Sequence, residues 1–255
     1  MSNFTTPELR LGRQVLNNFI DALDWDQSTQ TILQWAVNKE AKTVCLCNVH
    51  SSVTALDNPT LAEALSTADM VLPDGAPIAW FLRRTGFPKQ PRIAGPDLMW
   101  QLCDQIQGTN SSIFLFGSTP NTLSRLEKNL QRSFPKLKIA GSLSPRFGTW
   151  SYEEEQEYLT AINHSNAGLI FVGLGCPKQE IWMADNRDRV HGVLLGVGAA
   201  FDFHAGTINR APSLMQKAGL EWLHRLLSEP RRLWRRYLVT NSRFLLRAGI
   251  QILRH

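Results

Sequence analysis

"AGLIFVGLGCPKQEIW", residues 167–182, runs an apolar stretch into a glycine turn and then into helix-forming residues. A short, continuous apolar run bounded by glycine suits a strand buried on both faces, as in a parallel sheet. Five further runs read the same way: TVCLCNV (43–49), DMVLPD (69–74), SSIFLFG (111–117), LKIAG (137–141) and HGVLLGVGA (191–199). Helix-like stretches lie between them. NTLSRLEKNLQRSF (121–134) spaces Leu123, Leu126, Leu130 and Phe134 at helical intervals, and SYEEEQEYLTAI (151–162) opens on a serine cap and acidic first turns. This alternation predicts an α/β fold, a mostly parallel sheet with helices on both faces.

Such sheets bind ligands at the C-terminal ends of their strands. The residues at those ends are Asn48, Asp74, Gly117, Gly173 with Gly175, and Gly198. Glycine there lets a ligand approach the backbone. FLFGSTPNT (114–122) and FVGLGCPKQE (171–180) both pass from strand through glycine to a helix start, which offers backbone N–H groups to an anion; two tight βα turns explain them equally well. Neither is G-x-G-x-x-G or a P-loop, so a dinucleotide is disfavoured and a nucleoside diphosphate stays open. Asp74 belongs to VLPDGAPIAW (71–80), where Asp-Gly is either turn chemistry or a reactive carboxylate.

With 255 residues, 43% of them hydrophobic and 19% charged, the chain has the composition of a soluble globular protein. It has no apolar run of ~18 residues and no signal-peptide core, so a cytoplasmic location is expected. The four cysteines form no C-x-x-C pair, and reduced thiols are expected. Asp24-Trp25-Asp26 imitates a D-x-D metal site, but Asp26 reads as a helix cap before Ile32, Leu33, Trp35 and Ala36. No H-E-x-x-H set or G-x-S-x-G elbow occurs, and no metal is predicted.

Charge divides the chain. Residues 1–209 carry 17 Lys/Arg against 20 Asp/Glu, whereas residues 210–255 carry 10 against 2. The division predicts a core over 1–209 and a basic helical appendage over 210–255. The appendage interleaves Trp222, Leu226, Leu233, Trp234, Tyr237, Phe244, Leu245 and Ile250 with arginines, apolar groups on one face and arginine on the other, and Pro230 splits it into at least two helices. That composition suits an anionic membrane surface; packing on the body with solvated arginines, or nucleic-acid binding, are the alternatives.

In order along the chain, PDG (73–75), RIAGPDL (92–98), FLFGSTP (114–120), VGLGCPKQEIWM (172–183), GVGAAFDFHAG (196–206), NRAP (209–212) and GLEWLHRLLSEPRRLWRRY (219–237) resemble the WecG/TagA/CpsF glycosyltransferases, family 26. The resemblance implies a Rossmann-like core and inverting transfer of a sugar from a UDP-sugar to a polyprenyl-diphosphate-linked saccharide. It also implies a peripheral location on the inner face of the bacterial plasma membrane, products such as teichoic acid linkage units or exopolysaccharide, and no cofactor or essential metal. The transferred sugar is of the N-acetylmannosamine type, its uronic acid or a hexose.

Carried over residue by residue, the resemblance makes Asp74 the general base and gives Asn48 the orientation of the sugar. Leu46 stands where the family has a threonine, in Thr-x-Asn. Donor binding falls to Arg92, Asp97, Gly117, Gly173, Gly175, Lys178, Gln179, Glu180, Gly198 and Asp202. For Arg92 with Asp97 a structural salt bridge is the alternative, and for Glu180 and Asp202 a cap or a buried hydrogen bond. Arg210, Arg225, Arg231, Arg232, Arg235 and Arg236 are the candidates for the lipid diphosphate and anionic headgroups. A homo-oligomer stays open, and no nucleic-acid partner is expected. The rival functions are a nucleotide-dependent oxidoreductase on the same fold and a non-catalytic membrane-binding module.

Overall fold

The computed structural model describes residues 10–253, apart from the side chain of Arg232. An antiparallel hairpin, Gly12–Val15 (β1) and Asn18–Asp21 (β2), comes first. The sequence reading did not anticipate it. Its strands are four residues each and half exposed, too short for an alternation to register. Asp21 fastens the hairpin by accepting from the Val71 amide at 2.6 Å and from Arg10 Nε at 2.9 Å.

The six expected runs form one sheet from Lys42–Cys47 (β3), Met70–Pro73 (β4), Ile113–Gly117 (β5), Ile139–Leu143 (β6), Leu169–Gly173 (β7) and Val193–Gly196 (β8). The order is β4-β3-β8-β7-β5-β6 and every neighbouring pair is parallel. All six strands therefore end at one edge. Alternate residues feed two cores: Val44, Leu46, Leu115 and Leu195 face one side, Cys45, Cys47, Phe116 and Leu194 the other. The four cysteines are free thiols.

Helices Trp25–Asn38 (α1), Val49–Thr54 (α2), Pro59–Thr67 (α3), Ala76–Arg84 (α4), Gly95–Ile106 (α5), Pro120–Ser133 (α6), Tyr152–His164 (α7), Lys178–Asn186 (α8) and Ala200–Ala205 (α9) surround the sheet. Ser151 caps α7 in a capping box with Glu154, as its sequence suggested. At α1 the cap differs from expectation. Asp24, not Asp26, is the N-cap and accepts from the Gln27 amide, while Asp26 lies in the first turn; the chain enters the helix two residues earlier than the apolar spacing indicated.

Three helices follow: Ser213–Lys217 (α10), Glu221–Ser228 (α11) and Pro230–Leu253 (α12), with Pro230 opening the last. The last helix lies on α2 and buries Leu233, Phe244 and Ala248. Gln251 ties it to the hairpin, donating to Gln14 O at 2.8 Å and accepting from the Leu16 amide at 2.9 Å. Its outward face differs from the expected apolar and arginine halves. Trp234, Leu238, Val239, Leu245, Leu246 and Leu253 are all exposed, with Arg231 and Arg235 among them. The helix is thus apolar on both sides, one packed on the body and one open.

Candidate active site

Parallel pairing sets Pro73 beside Cys47, so the residues that follow, Asp74 and Asn48, are neighbours at the strand edge. The Asp74 amide donates to Cys47 O at 2.9 Å. Asn48 caps α2, its Oδ1 accepting from the amides of His50 at 3.0 Å and Ser51 at 3.1 Å. That commitment fixes the amide orientation and leaves Nδ2 to donate to Asp74 Oδ2 at 3.3 Å. Gly75, at φ +84°, makes the turn into α4. The glycine of the Asp-Gly pair therefore serves the turn, and the aspartate side chain points across to Asn48.

Burial pushes the Asp74 carboxyl above its usual value, against the hydrogen bond from Asn48 and the positive charges of Arg92 and Arg225; Glu221 raises it further. A carboxylate raised in this way is a stronger base. Leu46, the departure from the family threonine, is buried in the core rather than open at the edge, packed where a Cβ on Gly95 would meet it at 2.9 Å.

Beside Asp74 stands a ring of four charges from distant segments. Arg92 Nη1 donates to Glu221 Oε2 at 3.1 Å, and Arg210 Nε donates to Glu221 Oε1 at 3.0 Å. Arg210 also grips Asp97 with both terminal nitrogens, at 2.5 and 2.7 Å. Arg92 Nη2 lies 3.9 Å from Asp97. The structure thus brings Arg92, Asp97 and Arg210 together and adds Glu221, from the first turn of α11.

A second group forms where β7 and β8 end. Gln179 is buried, its Oε1 accepting from the Gly175 amide at 3.3 Å and its Nε2 donating to Glu180 Oε1 at 2.9 Å. Burial raises the Glu180 carboxyl, whose Oε2 has no hydrogen-bond partner, and raises the neighbouring Cys176 thiol. The glycines differ in their reasons. A Cβ on Gly117 would meet Gly173 O at 2.5 Å, and one on Gly173 would meet the Phe201 ring at 2.8 Å, so both are set by close packing. At Gly175 a Cβ would meet nothing within 4 Å, and at Gly198 only Gln179, the nearer contact at 3.6 Å. Those two leave room for a ligand. One amide of each turn is already used, Ser118 N donating to Gly173 O and Gly175 N to Gln179 Oε1.

Two expected donor residues are engaged elsewhere. Lys178 Nζ donates to Gly148 O at 2.6 Å and lies 3.6 Å from the centre of the Trp150 ring. Asp202 accepts from Thr207 Oγ1 at 3.2 Å. The appendage arginines also divide. Arg225 acts on Asp74 and lies over the Phe203 ring, and Arg236 lowers His50, whose imidazole is held down to about 4 by burial first and by that charge second. Arg231 and Arg235 are exposed on α12, and the side chain of Arg232 lies outside the described residues. His224 is half-buried in α11 with an unpartnered Nδ1.

The family model described as "Glycosyl transferase WecG/TagA/CpsF family" matches residues 13–255. The chain belongs to this family. It is 33% identical over 196 residues, 76% of this chain and 74% of the relative, to the N-acetylglucosaminyldiphosphoundecaprenol N-acetyl-β-D-mannosaminyltransferase of Bacillus spizizenii. No helix among the described residues is long and apolar enough to cross a membrane. For a WecG/TagA/CpsF glycosyltransferase, the residue that sequence reasoning missed is Glu221. Its signal was its rarity: Glu221 and Glu229 are the two carboxylates of residues 210–255, among ten cations.

Proposed function

We propose that the chain transfers a sugar from a UDP-sugar to a polyprenyl-diphosphate-linked saccharide, with inversion, at the inner surface of the bacterial plasma membrane. One observation carries the reading: in a member of this family, a raised carboxylate, Asp74, is held by Asn48 at the strand edge beside Arg92 and Arg225. Asp74 takes the proton of the acceptor hydroxyl as its oxygen attacks C1. The bond from C1 to the UDP oxygen breaks, and its electron pair leaves on the β-phosphate. That charge falls to Arg92, while Arg210, Arg225 and Arg236, whose guanidinium groups suit a diphosphate, take the lipid diphosphate of the acceptor. Gly175, Gln179 and Gly198 border the donor, and Asn48 orients the sugar.

Residues 1–209 form the UDP-sugar-binding catalytic core in this reading, and residues 210–255 supply Arg210, Arg225 and Arg236 to the substrate and hold the chain on the membrane. The open face of α12, with its exposed leucines, Trp234, Arg231 and Arg235, supports that role. The relative's name makes UDP-N-acetylmannosamine the first donor to try and N-acetylglucosaminyl-diphosphoundecaprenol the first acceptor.

The test is UDP release from a panel of UDP-sugars with that acceptor in anionic liposomes, with and without excess EDTA. Release that requires acceptor, persists in EDTA and falls about 10²–10⁴-fold in Asp74→Asn is expected. Undiminished release by Asp74→Asn would return Asp74 to a turn residue. Loss in EDTA would remove the arginine-only account of the leaving group.

A further inference from the structure

The ring beside Asp74 contains two carboxylates, Asp97 and Glu221, that the transferase reading leaves without a task. Glu221 comes from the appendage, is 16% exposed at its side chain, and gives each carboxylate oxygen to a different arginine, Arg92 of the core and Arg210 at the start of the appendage. We propose that Glu221 is a positioning residue that holds Arg92 in the orientation in which it meets the substrate diphosphate; the assignment rests on the transferase reading and deepens it.

Geometry separates this role from simple attachment of the appendage. The tail is already fastened by Leu233, Phe244 and Ala248 in the core and by the two hydrogen bonds of Gln251. Charge neutralisation does not need Glu221 at Arg210 either, because Asp97 holds both terminal nitrogens of that side chain. What Glu221 adds is direction. At Arg210 it takes the Nε–H of a guanidinium whose plane the fork pair with Asp97 already sets, so its separate effect falls on Arg92. For Arg92 it is the close partner, at 3.1 Å against 3.9 Å to Asp97. A guanidinium fork is selective only when its plane is set, since bidentate pairing with phosphate requires both N–H bonds aligned. Glu221 also contributes its charge to the field at Asp74, which Arg92 and Arg225 face with the opposite sign.

The experiment compares full-length wild type, Glu221→Gln and Glu221→Asp in acceptor-dependent UDP release on liposomes, across pH, with vesicle binding and thermal unfolding alongside. Gln keeps the shape and one acceptor but loses the charge. Its kcat is expected to fall about tenfold or more with a smaller change in donor KM, the mark of an interaction made in the transition state. The acid limb of its kcat/KM profile should move to lower pH, because a negative charge has left the neighbourhood of Asp74. Glu221→Asp should recover part of kcat, and all three proteins should bind vesicles and unfold alike. A Gln variant with kcat within about twofold of wild type and an unmoved acid limb overturns the role while leaving the transferase reading intact. Equal losses in Gln and Asp that track lost vesicle binding overturn it in favour of attachment. Wild type without acceptor-dependent release overturns the transferase reading and this role with it.

Discussion

The two faces of α12 make separable predictions. On the inner face, Phe244 is 1% exposed and Leu233 equally so, and these are its large buried apolar anchors. Burying a Leu or Phe contributes about 1.5–3 kcal/mol each, and truncating a core Phe to Ala costs about 3–5 kcal/mol. The exposed Arg243–Asp57 pair is screened by solvent and adds little. Phe244→Ala therefore removes half or more of the apolar docking and should free α12 from α2. The expected readout is early protease cleavage within 230–253 and a lower melting temperature. On the outer face, Leu245 is 65% and Leu246 67% exposed. Changing both to Gln should alter stability by no more than about 0.5 kcal/mol each. If that face enters a bilayer, the pair contributes about 3 kcal/mol of transfer, so binding to anionic vesicles should weaken on the order of a hundredfold. Sedimentation with vesicles containing anionic lipid measures it. A Leu245→Gln, Leu246→Gln protein that sediments like wild type refutes membrane insertion of this face. A Phe244→Ala protein as protease-resistant as wild type refutes the docking arithmetic.

Asp74→Asn should lose activity yet gain stability at neutral pH. Because folding raises the Asp74 carboxyl, the native state favours its protonated form; the stabilising contribution is complete below the ordinary value of 3.8 and lost as pH rises through the raised one. A neutral isostere escapes that loss, so denaturant melts at pH 7 should favour the variant, and a lower midpoint contradicts the burial argument. His50 works in the opposite sense. Held at about 4 against an ordinary 6.5, it stays neutral in the folded protein while the unfolded chain takes up a proton, so stability should fall as pH drops from 6.5 towards 4. His50→Gln should flatten that part of the pH–stability curve. Gly117→Ala, at φ +130° with a carbonyl 2.5 Å from the new Cβ, should cost about 3 kcal/mol or more, whereas Gly175→Ala, strained only by its φ of +80°, should cost about 1–2 kcal/mol in the same melts.

The sheet was readable from sequence because buried parallel strands leave continuous apolar runs, and each run from TVCLC to HGVLLG became a strand. The hairpin was not, since RQVLNNFID alternates too briefly and owes its place to Asp21 reaching the Val71 amide. The cap of α1 was placed two residues late because both Asp24 and Asp26 are competent caps, and the choice depended on Gln27 closing a capping box with Asp24. In the site, Asn48 and Asp74 were found as strand-end residues without knowledge of which strands adjoin. Their hydrogen bond needed the β3–β4 pairing, which a pattern of apolar runs does not specify.

Four strand-end glycines looked alike in sequence, each a position without a side chain to keep a ligand from the backbone. In the structure two of them are consumed by the protein's own packing, Gly117 against Gly173 and Gly173 against Phe201, and two are not. Sequence reports the absence of a side chain but not what fills the space. The same distinction governs the charges. Arg92, Asp97, Arg210 and Glu221 span 130 positions of the chain, and the return of residues 210–221 to residues 92–97 makes them neighbours. A carboxylate in a basic tail reads as solvated until that return is known. Once it is known, the appendage and the core share one charged cluster, because a carboxylate of the first is paired with Arg92 of the second, beside Asp74.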